Sequence, residues 1–265
     1  MQTDASGIGE RRVSRLRYRL EPGAMLSFNN PSPLDRETAT FRLHLADGTA
    51  TFEMVGDFAS EEAARAVVDP YCQAWELDFA LRMNREISFA FEGAEMEAPR
   101  QLPGSRNQDV QVSAIDATGR ALDVASVSVE YATYPEPPER FGTSIETEMM
   151  YYHLRQYRLR RETFAVMGYF CLTVLEWRAG DRGKAAKQYR VDPKVLAELG
   201  RLTSVVGDAQ TARKLDRQNT LRPHTPEERV WIEATVHALI RRAGQIASDP
   251  GAQWPRLTLA DLPRL

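Results

Sequence analysis

The side chains able to do chemistry are few and scattered. The four histidines are His44, His153, His224 and His237, and the two cysteines are Cys72 and Cys171. No two histidines stand at the short spacings that place two metal ligands on one helix face or one strand, and a metal centre would have to be assembled from distant segments, so none is expected. No CxxC occurs, which excludes zinc ribbons and thioredoxin-like exchange. Cys171 lies in the apolar run FAVMGYFCLTVLEW and is expected to be a core thiol, and so few cysteines suit a reducing compartment. GxGxxG, GxxxxGK[ST], GxSxG and HExxH are all absent, so nothing points to a nucleotide cofactor, a hydrolase nucleophile or a zinc protease, and no cofactor is expected. Asp192-Pro193-Lys194 has the spacing of a nuclease D-x-K, but Asp-Pro is a helix start, whereas that chemistry needs strand ends and a second carboxylate.

One pair has a spacing with a precedent. Arg217 and His224 are separated by six residues just before the last helix of a helical segment. HEPN ribonucleases carry Arg-x4–6-His in a helical bundle, the Arg stabilising phosphate charge and the His acting as acid, base or orienting group, and this segment is weakly similar to them. Gln218 stands where that family has Asn or Asp. Four histidines, three allowed spacings and 30 arginines in 265 residues give about 1.4 such pairs by chance. No catalytic residue is therefore expected; Arg217 and His224 are the alternative. Arg213, Lys214, Arg217 and Arg222 crowd the same loop and form the candidate anion or nucleic-acid contact. Arg155, Arg158, Arg160 and Arg161 form a second basic cluster at a helix end, where a solvated face is the ordinary explanation.

The elements that would position these residues fall into two sets. Residues 13–134 read as an antiparallel β-sheet domain. RLRYRL puts Leu16, Tyr18 and Leu20 on one face, and NNPSP at 29–33 reads as a loop. Phe41, Leu43 and Leu45 alternate before Asp47-Gly48, and Phe52 and Met54 after it, the pattern of a hairpin with a tight turn. Ser60 caps a helix over 60–83 that Pro70 must kink or divide. EISFAFEGAEM returns as a strand with Ile87, Phe89 and Phe91 inward. Strands at Val110–Val112 and over 122–133 are expected to extend the sheet. YPEPPERFG supplies a proline-rich linker over 135–142.

Everything beyond it is helical, over 143–248. Ser144 caps one helix, Phe164–Trp177 is expected to be a buried core helix, and Pro193 begins another carrying Val195, Leu196, Leu199 and Leu202. Thr225-Pro226-Glu227-Glu228 is a capping box, followed by a stripe of Ile232, Val236, Leu239, Ala243 and Ile246. A flexible tail over 1–12 and a C-terminal tail over 249–265, with Trp254 free to pack back, complete the chain. The predicted class is α+β: an N-terminal antiparallel sheet with one or two helices, then a C-terminal helical bundle.

Charge follows the same division. Residues 1–138 carry 13 basic and 22 acidic side chains, a net −9, whereas residues 139–245 carry 19 and 13, a net +6. An acidic unit and a basic unit are expected to attract one another within the chain or between copies, so self-association or another protein partner is expected, with nucleic acid as the alternative. MQTDASGIGERR has no apolar core of a signal peptide, and the longest apolar run is too short for a bilayer, so no membrane association and a cytoplasmic location are expected.

EEAARAVVDPYCQAWELDFAL, ISFAFEGAEM, YPEPPERF and MGYFCLTVLE, together with LGRLTSVVGDAQTARK and LRPHTPEERVWIEATVHALIRR, resemble an uncharacterised family of bacterial proteins across roughly residues 40–246. The resemblance implies a bacterial cytoplasmic protein and no assigned activity. Members of that family usually carry Leu where His224 stands here. A binding or assembly module without enzymatic activity is the expected function.

Overall fold

A computed structural model describes residues 12–24, 26–97, 129–204, 206 and 222–265. The tail over 1–11, the strands expected near 110–112 and before 129, and Arg213, Lys214 and Arg217 lie outside the described residues. The architecture is α+β, an N-terminal antiparallel sheet followed by helices. Among the described residues two compact units form, one from residues up to Asp69 and from Arg85 to Glu136, the other from Pro70–Asn84 and from Pro137 onward.

The first unit is built on five strands: β1 (Arg12–Pro22), β3 (Leu34–Glu37), β4 (Phe41–Ala46), β5 (Thr49–Met54) and β6 (Ile87–Glu97), in the order β3-β4-β5-β1-β6, every neighbour antiparallel. The expected hairpin is β4–β5. Asp47 and Gly48 take φ of 50° and 73°, the left-handed pair that a two-residue turn requires, and Leu43 stands opposite Phe52. Alternation then divides the faces. Leu16, Tyr18, Leu20, Leu43, Leu45 and Phe52 are buried, while Arg15, Arg17 and Arg19 on the opposite face pair with Glu53, Glu95, Glu92 and Glu21.

Two expectations change here. Residues 29–32 of the NNPSP segment are not a loop but belong to β2 (Leu26–Ser32), whose pairing is interrupted between Phe28 and Ser32, where Asn30 adopts φ of 41°. The described end of the 122–133 strand, β7 (Val129–Thr133), does not extend the five-stranded sheet; it pairs parallel with β2 in a separate two-stranded ribbon. Aromatic packing accounts for this partner choice. Phe28 packs on Tyr131 and Tyr134 with centroids 6.2 and 5.4 Å apart, and the Gly48 N–H donates to the Tyr134 hydroxyl at 2.8 Å. Phe89 and Phe91 of β6 are only half-buried, on a strand whose register with β1 shifts twice.

Helix α1 (Glu61–Met83) is one continuous element through Pro70, not two helices. Its first turns belong to the sheet unit, where Ala64 and Val68 are buried, and the division between units falls between Asp69 and Pro70.

In the second unit Ala74, Leu77 and Leu81 of α1 join a core made with α2 (Ile145–Arg158), α3 (Phe164–Ala179), α4 (Arg182–Gln188), α5 (Pro193–Ser204) and α6 (Pro226–Ser248). Capping sets the helix starts. Ser144 and Thr147 form a capping box on α2, Thr163 caps α3, Asp181 caps α4, and Thr225 with Glu228 closes the box on α6. Helix α4 had no periodic signal in the sequence; its seven residues are held by the Asp181 cap and by burial of Ala185 and Ala186. The expected stripe on α6 is the buried one, with Ile246 partly buried. The C-terminal segment packs back through a bridge between Val191 and Leu257, and Trp254, Leu257 and Leu262 are buried. Among the described residues no helix is long and apolar enough to cross a membrane.

Candidate functional site

Two residues of the predicted loop cluster are described, and both are engaged. The Arg222 guanidinium donates to both carboxylate oxygens of Glu228, at 2.8 and 2.5 Å. The same carboxylate accepts the Thr225 N–H at 3.0 Å, so one buried side chain completes the capping box and holds the arginine. The Arg222 hydrogen bonds hold the Glu228 carboxyl at about 2, well below its ordinary value. His224 is buried. Its Nε2–H donates to the Leu202 carbonyl at 2.7 Å, and its ring meets Phe164 edge to face at 4.6 Å. Its Nδ1 is buried without a partner among the described residues. Both ring nitrogens therefore face the interior.

The remaining histidines sit in three different settings. His44 pairs with Asp35 at 2.7 Å on the exposed face of the sheet. His237 is half-buried and accepts a hydrogen bond from Arg158 at 2.9 Å; burial first, then the Arg158 charge, push it down to about 4. His153 lies 2.8 Å from the Glu162 carboxylate and stacks on Phe170 with centroids 3.6 Å apart. Among the described residues no group of three or more His, Cys, Asp or Glu could hold a metal. Cys171 lies under this pair, fully buried, and burial pushes its thiol far up, which keeps it protonated and unreactive.

The feature that stands out is apolar. Helix α3 was expected to be buried all round, and its inner side is, but one stripe faces solvent. Trp177 is 64% exposed and Val166 37%, and Phe170 is half-buried between them. These positions, with Thr173, recur at spacings of four, three and four. Helix α2 runs antiparallel to α3, as the Cys171 thiol on the Met150 carbonyl and the Arg178–Glu146 ion pair at 2.6 Å require. It shows the same spacing in Ile145 (64% exposed), Met149 and Tyr152 (56%), continued by Gln156. The two stripes meet in a groove of about 240 Å³ lined by Met149, Phe170, Thr173, Val174 and Trp177.

Charged groups rim this surface. Glu148 and Arg155 lie along the outer flank of α2, two turns apart, while His153 and Glu162 close one end and Arg178, Glu176 and Arg182 the other. The surface thus has an apolar centre and a charged edge. Reading the sequence missed Ile145, Met149, Tyr152, Val166, Phe170 and Trp177. The available signal was the breadth of the apolar run in α3, which one buried face does not need. Comparison with family models, with curated proteins and with solved structures finds no match for this chain.

Proposed function

We propose that this protein is a binding or assembly module without enzymatic activity, and that the α2–α3 face is its docking surface. The observation that carries the reading is the pair of exposed stripes, Ile145–Met149–Tyr152 and Val166–Phe170–Trp177, converging on one groove. Aromatic residues and methionine at the centre of a patch are what interfaces enrich, and a Trp two-thirds exposed on a regular helix gains nothing for the monomer. The chemistry of the other candidates agrees. The described histidines are held by carboxylates, an arginine or main chain, and the cysteines are buried.

Hydroxyl-radical footprinting tests the proposal. In a native extract Trp177 and Tyr152 are expected to be protected relative to dilute purified protein. Equal reactivity of both residues in the two samples refutes a docking role.

A further inference from the structure

We infer that Arg190, at the end of α4, and Arg242, on α6, bind a phosphate-type dianion, either inorganic phosphate or the phosphoryl group of a phosphomonoester. The inference goes beyond the docking role proposed above and uses none of the residues of the α2–α3 face.

The observation that carries it is an unanswered buried charge. The three buried carboxylates among the described residues are each held by an arginine: Asp78 by Arg82 at 2.6 Å, Glu146 by Arg178 at 2.6 Å and Glu228 by Arg222 at 2.5 Å. Arg242 is the one buried arginine among them, 8% exposed, and it forms no ion pair with any described residue. Its partners are neutral. Nε donates to the Gln245 Oε1 at 3.0 Å, and Nη1 to the Arg190 carbonyl at 3.0 Å and the Tyr189 carbonyl at 3.5 Å. Its Nη2 donates to nothing among the described residues. A charge taken out of water without a counter-charge is costly, and an anion removes that cost.

The groups around Arg242 sharpen the need. Burial and then the Arg190 charge pull its guanidinium below the ordinary arginine value, and Asp261 pulls the other way. Asp261 makes no ion pair with Arg242, because its Oδ2 accepts the Thr258 N–H and hydroxyl, each at 2.8 Å. Asp249 turns its Oδ1 onto the Gly251 and Ala252 N–H groups. The cations are therefore left with one another.

Both guanidinium groups are fixed by carbonyl oxygens, which orient them without cancelling their charge. Arg190 adopts φ of 53°, and its carbonyl accepts the Leu257 N–H at 2.9 Å as well as the Arg242 Nη1. Its own Nε donates to the Trp254 carbonyl at 3.2 Å, while Nη1 and Nη2 have no partner among the described residues. Arg190 is exposed, so an ion reaches it from solvent. Arg140 lies over the Trp254 indole, 6.0 Å from the ring centroid, and is likewise without an ion pair among the described residues. The guanidinium fork matches the oxygens of phosphate, and two unpaired forks suit a dianion better than a monoanion.

Isothermal titration calorimetry on the full chain, at pH 7.5 and with ionic strength matched by chloride, tests the site with three probes: inorganic phosphate, glycerol 3-phosphate and acetate. At least one of the two phosphates is expected to bind with Kd at or below about 1 mM, and acetate at least tenfold more weakly. The tighter of the two phosphates tells whether the group arrives free or as an ester. Arg190→Gln changes an exposed side chain and is expected to leave the circular dichroism spectrum unchanged and weaken binding at least tenfold. Arg242→Lys keeps the charge but loses the fork, and is expected to weaken binding as much. Arg229→Gln, an exposed arginine that stacks on Phe164, is expected to bind as wild type does.

A wild-type protein that binds neither phosphate at about 10 mM overturns the inference. So does acetate binding as tightly as phosphate, or an Arg190→Gln protein that binds with wild-type affinity. If Arg242 served only to tie α6 to the end of α4, Arg242→Lys would lower the melting temperature and Arg190→Gln would leave phosphate binding unchanged, so the exposed variant decides even where the buried one unfolds. None of these outcomes bears on the protection of Trp177.

Discussion

Gly168 lies on the inner side of α3, beneath the exposed stripe, and replacing it with alanine sets two known effects against each other. In a helix interior Gly→Ala stabilises by about 1 kcal/mol through the unfolded chain. Here a Cβ would stand 2.8 Å from the Thr203 Cγ2, 3.0 Å from the Ile232 Cγ2 and 3.4 Å from the Leu199 Cδ1. Thr203 cannot turn its methyl away freely, because its hydroxyl donates to the Leu199 carbonyl at 2.7 Å and the side chain is fully buried. Ile232 is equally enclosed. Forcing α3 off α5 and α6 belongs with overpacked cores, which lose about 1–3 kcal/mol. The clash should win, leaving Gly168→Ala less stable by about 1–2 kcal/mol, a fall in Tm of about 3–6 °C. Differential scanning calorimetry measures it. The double variant Gly168→Ala/Thr203→Ser removes the nearest methyl while keeping the hydroxyl. It should lose less than the two single changes together, by about 1 kcal/mol. A Gly168→Ala protein that melts at or above wild type, or strictly additive single and double variants, refutes this account of how α3 is seated.

Three further expectations follow from the titrating and reactive groups. His237 is neutral in the fold and held down to about 4, against 6.5 when unfolded, so its contribution is complete above pH 6.5 and is lost as pH falls towards 4. Urea melts across that window should show stability rising with pH by up to about 1.4 kcal/mol per unit, and His237→Gln should flatten the slope. Glu228, held at about 2 chiefly by Arg222, contributes stability that is intact above pH 4.5 and lost as pH falls towards 2; Glu228→Gln should remove that acid limb and lower the stability at neutral pH by about 1–2 kcal/mol, read by the same melts. Cys72 and Cys171 are both buried, so a thiol reagent should modify neither in the native protein within minutes and both after denaturation; fast labelling of Cys171 in native buffer would contradict its placement under the His153–Glu162 pair.

Local rules written in neighbouring residues were legible. Asp47-Gly48 demanded the turn it makes, Ser144 and Thr225 demanded helix starts, and the α6 stripe named its own buried face. The alternation in β1 separated its core leucines from its arginines without knowing that those arginines meet Glu53 and Glu95. Non-local choices were not legible. Nothing within the 122–133 segment says that its partner is β2, because strand pairing is decided by which aromatic rings it can bury, and Phe28 lies about a hundred residues away. Seven-residue α4 is too short to show a period and exists because its alanines are covered.

The candidate site shows the same division. Residue spacing alone brought Arg217 and His224 to attention, since side chains with chemical names are what a sequence displays. Of these the structure describes His224, and it has both ring nitrogens turned inward. The α2–α3 face was hidden in plain hydrophobicity. Phe164–Trp177 is apolar on every side, so the sequence determines that it is a helix and that most of it is covered. Only the tertiary structure decides which side is left over. The core of the second unit has a finite surface, α5 and α6 occupy one side of α3, and α2 occupies the next. Burial is a property of the assembled neighbours rather than of the residue, which is why Leu172 and Trp177, five positions apart on one helix, end with 1% and 64% of their surface exposed.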